Sequence, residues 1–194
     1  MKRYSLILTS CITFITFAQA NCSMKGGRSL DYKQHLEAEL MNAVKSGNVD
    51  DTRKALHQGI DVNARDKHDR TALMHASEHG HTQVVRELLR NGADPKLKDK
   101  YFGKTALMRA MRSGDLEMTK ELLDSGAEVN AQDDGFKTAL MLAVYYNRDD
   151  LARLLLSRGA DAALRDENNR TALEMARYYK YDKIVAILQE AVTR

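Results

Sequence analysis

Residues 70–74 read Arg70-Thr71-Ala72-Leu73-Met74. The pattern returns as Lys104-Thr105-Ala106-Leu107-Met108, Lys137-Thr138-Ala139-Leu140-Met141 and Arg170-Thr171-Ala172-Leu173-Glu174. Successive threonines are 34, 33 and 33 residues apart. A second marker keeps the same period: Gly59-Ile60-Asp61, Gly92-Ala93-Asp94, Gly126-Ala127-Glu128 and Gly159-Ala160-Asp161. Two independent markers on one period of this length indicate a stack of small repeated units. Within each unit the threonine can cap a short helix by accepting a free backbone N–H. Ala76, Ala110, Ala143 and Ala176 follow five positions later, small enough for helices to approach closely. A second helix carries Leu88-Leu89, Leu122-Leu123 or Leu154-Leu155 and stops before a glycine suited to the left-handed conformation. A polar hairpin turn then leads to the next threonine.

The units resemble ankyrin repeats. The clearest copy runs from Thr71 to Pro95, with Gly80-His81, Val84-Val85, Leu88-Leu89 and Gly92-Ala93-Asp94 in the family's order. Alanine stands where the family has proline, at Ala72, Ala106, Ala139 and Ala172, and is itself an excellent helix former. The family histidine is replaced by Met74, Met108, Met141 and Glu174. The resemblance implies an all-α ankyrin repeat solenoid of about five stacked helix-turn-helix units with short hairpin turns. Its expected extent is 37–194, in units 37–69, 70–103, 104–136, 137–169 and 170–194, behind a flexible lead-in at 21–36. Gly92 and Thr105 are 13 residues apart where the other units have 12, so an extra residue falls near Tyr101 and Phe102 at a turn tip.

The first twenty residues read as a removable export signal. Met1-Lys2-Arg3 is followed by a mostly apolar run to Ala18 and by Ala18-Gln19-Ala20, a small-x-small cleavage pattern. Cleavage would remove Lys2 and Arg3 and lower the formal charge from +3 to +1, so the net charge argues against nucleic acid as a partner. It would also remove Cys11 and leave Cys22 alone, which excludes an internal disulfide. Apolar residues at 43% and charged residues at 29% are ordinary for a globular chain and exclude wholesale disorder. The expected location is the bacterial periplasm, or otherwise outside the cell, with no membrane engaged after cleavage.

No catalytic constellation is present in the sequence: it has no phosphate-binding glycine loop, no nucleophile elbow and no His-Glu-x-x-His pair. His75 and His79 share a helical spacing but would need a third ligand to hold zinc. Asp61, Asp94, Glu128 and Asp161 lie one per repeat and read as turn residues rather than an acid/base pair. The chain is therefore expected to be no enzyme, to carry no cofactor or metal, and to be monomeric alone.

By the resemblance, hairpin tips and the exposed side of the first helices form a concave recognition face. It offers Lys67, Arg70 and His79, then Lys100, Tyr101, Phe102, Lys104 and Arg112, then Lys137, Tyr145 and Tyr146, then Arg170, Tyr178 and Tyr179. Arg70, Lys104, Lys137 and Arg170 precede the four threonines and read as a column of positive charge. Tyr145-Tyr146 and Tyr178-Tyr179 recur one repeat apart, either to contact a partner or to pack between repeats. The implied function is a non-enzymatic module that binds a protein outside the cytoplasm. Two narrower forms stay open: an immunity or stress-protection protein that neutralises a toxic or oxidative-stress-related enzyme, and a secreted effector acting on a host protein.

Overall fold

The structure, a computed structural model, describes residues 25–192, with side chains described over 34–191. The stretch expected to be an export signal, its expected cleavage site and Cys22 lie outside the described residues. The chain divides into two compact units, 1–38 and 39–194. In the first, the described part is helical from Lys25. The expected lead-in at 21–36 lies partly outside the described residues, and its described part belongs to this helix. No proline interrupts 25–46, and apolar Leu40, Met41 and Val44 sit at helical spacing near its end.

Ten helices occur among the described residues. They are α1 Lys25–Ser46, α2 Val49–His57, α3 Ala72–His79, α4 Thr82–Arg90, α5 Ala106–Ser113, α6 Leu116–Asp124, α7 Ala139–Tyr145, α8 Asp149–Ser157, α9 Ala172–Tyr178 and α10 Asp182–Val192. They form five helix-turn-helix pairs, the number of repeats read from the sequence. Helices α3, α5, α7 and α9 pack on one another in chain order, and α2, α4, α6, α8 and α10 form the second layer.

Helices this short are marginal alone, so caps and neighbours must hold them. Thr71, Thr105 and Thr138 each accept the N–H of the methionine three residues on, at 3.3 Å. In the last unit Glu174 replaces that methionine. Thr171 accepts its N–H at 3.2 Å while the Glu174 carboxylate accepts the Thr171 N–H at 2.7 Å, a complete capping box. The alanines five residues after the threonines are all fully buried, as close helix approach requires. Leu73, Leu107 and Leu140 and their following methionines fill the layer between the helices.

Each helix pair turns through a left-handed residue. The first three units use Gly47, Gly80 and Gly114, and the last two use Asn147 and Lys180 at φ 54° and 58°. Gly114 has φ 75°, where glycine is favoured, and a Cβ there would push aside the Arg148 guanidinium of the next unit, 2.7 Å away.

The hairpin turns share a feature. Asp66, Asp133 and Asp166 each accept two backbone N–H groups of their own turn through Oδ1, and the turn closes back on the residue before the threonine. In the longer turn Asp99 does the same for Tyr101 and Phe102 at 3.1 and 2.9 Å. The extra residue is thus absorbed at the tip, leaving Tyr101 and Phe102 each 60% exposed.

Candidate functional site

Hairpin tips and first helices of the middle units enclose an open cavity of about 670 Å³. Its floor is Met108 and Leu142, and its rim is His68, Tyr101, Phe102, Lys104 and Tyr146. The wall is a charged cluster centred on Glu78. That carboxylate accepts hydrogen bonds from Arg109 at 2.9 Å, Arg112 at 3.3 Å and Arg70 at 3.4 Å. Arg109 also donates to Asp99 at 2.7 Å, so one nearly buried guanidinium ties the longer turn to α3 and α5.

Comparing the units position by position shows why the cavity sits here. Four residues after the threonine the sequence has His75, Arg109, Leu142 and Met175. The first two reach the aspartate of their own turn, with His75 Nε2 donating to Asp66 at 2.8 Å. Leu142 cannot, and it supplies apolar floor instead. Arg109, Asp99, Met108 and Leu142 were missed by reading only the residues at turn tips and helix ends. The column four places after each threonine is the signal that finds three of them, Arg109 and Leu142 directly and Asp99 as the partner of Arg109.

The basic residues that precede the threonines, expected to form a column of positive charge, are mostly paired. Arg70 pairs with Asp66 and Glu78, Arg170 with Asp166 at 3.0 Å, and Lys137 lies 3.8 Å from Glu167. Three of the column's four members therefore have their charge compensated. Among the described residues Lys104 has no ion pair; its ammonium lies 5.4 Å from the Phe102 ring centre. Lys67 and Lys100 are exposed on turn tips, and the Arg112 side chain is 65% exposed.

The tyrosines divide. Tyr145, Tyr146 and Tyr178 are exposed, whereas Tyr179 packs partly against the core. Tyr145 meets Tyr146 and Tyr179 edge-on, at 5.1 and 6.0 Å between ring centres, and Tyr178 meets Tyr179 at 5.2 Å. The two pairs thus form one continuous ladder across the units. Phe136 belongs with these exposed rings but went unnoticed in the sequence; it is held at φ 58° on the next turn tip.

His75, His79 and His81 serve the fold. Exposed His79 donates from Nδ1 to the His75 carbonyl at 2.8 Å, and His81 donates from Nε2 to the Lys45 carbonyl of the preceding unit at 3.1 Å. Among the described residues no group of three histidine, cysteine or acidic side chains is placed to hold a metal. Asp61, Asp94 and Asp161 each accept a backbone N–H two residues on, as turn residues do.

Burial pushes the His75 imidazole below its usual range, against the pull of Asp66 and with the charges of Arg70 and Lys45 adding to the effect. With Nε2 committed to Asp66, Nδ1 is buried without a partner, so a second proton would add an unsatisfied donor. Burial works to raise the Asp66 carboxyl, but the N–H groups of Arg70 and His68 and the His75 bond outweigh it and hold it at about 2. Both groups bind more protons unfolded than folded, so stability falls with falling pH. Thermal melts should show a first loss as pH drops below ~6.5 and a second between ~4 and ~2. In His75→Gln the first loss should shrink; an unchanged limb would remove His75 as its origin.

No described helix is long and apolar enough to cross a membrane. No curated protein sequence matches the chain. Two family descriptions do: "Ankyrin repeats (3 copies)" over residues 40–133 and "Ankyrin repeats (many copies)" over residues 126–176. Together they span residues 40–176, from the end of α1 to the first helix of the last unit, and the fold is that of a repeat scaffold. The chain belongs to the ankyrin repeat family.

Proposed function

We propose that the chain is a protein-binding module that acts outside the cytoplasm, in a bacterial periplasm, and takes its partner on the face of first helices and hairpin tips. One observation carries the binding face. The exposed large hydrophobic side chains of the described residues are Tyr101, Phe102, Phe136, Tyr145, Tyr146 and Tyr178. All six lie at turn tips or the ends of first helices, and none lies on a second helix. Aromatic side chains gathered on one face are what an interface core uses. The location rests on the basic start, apolar run and Ala18-Gln19-Ala20 of the sequence.

The test is affinity capture from the periplasm with residues 21–194, comparing the unchanged chain with Tyr145→Ala/Tyr178→Ala. Both side chains are exposed, so helicity and melting temperature should hold. Affinity for the captured protein should fall about tenfold or more, since buried tyrosine anchors carry that much. Identical capture by both chains would remove the tyrosine ladder from the binding face.

A further inference from the structure

We propose that the cavity between α3, α5, α7 and the longer turn is a site for an extended peptide segment of a partner protein, one carrying an aspartate or glutamate beside a large apolar residue. The inference rests on the protein-binding reading and gives that partner a chemistry. Among its lining residues are four cations, Arg70, Lys104, Arg109 and Arg112, and two carboxylates, Glu78 and Asp99. Both carboxylates are consumed inside the protein. Asp99 is held by Arg109 and two backbone N–H groups, and its side chain is 1% exposed. Glu78 accepts from three arginines.

Positive charge therefore remains facing outward, on Lys104 and Arg112. Lys104 touches an aromatic ring rather than an acid. Arg112 makes a single long bond to Glu78 and keeps its other donors in solvent. Between them the floor is apolar, Met108 and Leu142, under Tyr101, Phe102 and Tyr146. A ligand that matches both parts has a carboxylate for the cations and a hydrocarbon side chain for the floor. The volume suits a ligand of a few residues' side chains. Complementary charge sets orientation and partner choice, while the apolar contact supplies most of the affinity.

The test is selection of a random heptapeptide library, displayed with its C-termini blocked by fusion, on the immobilised full chain. Enriched peptides should carry Asp or Glu within two positions of Leu, Ile, Met or Phe. A synthetic, C-amidated copy of an enriched peptide should bind about tenfold more weakly to Lys104→Gln/Arg112→Gln, and its affinity should fall with added salt. Lys120→Gln, exposed on α6 outside the cavity, should bind as the unchanged chain does, and all melting temperatures should agree. Enriched peptides without acids, or equal binding by the double variant, would overturn the proposal. If such peptides still lose binding in Tyr145→Ala/Tyr178→Ala, the broader reading stands and only the acidic chemistry falls. A library with no enrichment overturns the peptide site as well.

Discussion

Asp99→Ala is expected to lower the unfolding free energy by about 3 kcal/mol, because it takes one of two carboxylates from a nearly buried guanidinium and the acceptor from two N–H groups of the turn. The Arg109 side chain is 10% exposed and would retain only its bond to Glu78. The same change frees the N–H groups of Tyr101 and Phe102, each worth about 1 kcal/mol when satisfied. Asp133→Ala is the matched comparison. Asp133 accepts two backbone N–H groups as Asp99 does, but the residue four past its threonine is Leu142, which donates nothing. Its loss should cost about 1–2 kcal/mol. Urea unfolding followed by helicity measures both; equal costs would show that the Arg109 pair adds nothing to stability. The Asp99 variant should also lose peptide binding, since the tip that presents Tyr101 and Phe102 hangs on that carboxylate.

The repeat architecture was open to reading because its signals are local. A threonine cap, an alanine five residues on and a glycine after the second helix each act within one unit and recur with it. The candidate site was less open, because its charges are settled by partners. Arg70, Lys137 and Arg170 look alike as residues preceding a threonine. The aspartate four residues before each one compensates Arg70 and Arg170, whereas Lys137 finds Glu167 in the next turn. Lys104 differs because its turn is one residue longer and its aspartate is taken by Arg109. The tyrosine pairs show a second limit. Tyr178 and Tyr179 are adjacent where a helix ends, and there the turn decides which ring points outward. Lys180 in the left-handed conformation sets that turn, at a position where the first three units have glycine and the fourth has Asn147. Left-handed lysine is uncommon enough that composition alone gives no hint of it.

Leu140→Ala should cost about 2–5 kcal/mol, the range for emptying a buried leucine site. Leu140 is 1% exposed in α7, which packs on α5 before it and α9 after it. In a stack of units, stability comes from each unit and from its interfaces with its neighbours. A cavity in the fourth unit weakens two interfaces together. The matching residue in the last unit, Leu173, is only half-buried, and among the described residues its unit packs on a single neighbour. Leu173→Ala removes the same atoms from a less buried site with fewer neighbours, so a lower cost of about 1–2 kcal/mol is expected. The two variants should also differ in mode. Loss at Leu173 frays the end and lowers the denaturant slope first, because a short segment opens before the rest. Loss at Leu140 lowers the midpoint of the main transition. Equal costs and equal slopes would mean that the five units melt as one body, with position along the stack carrying no energy of its own.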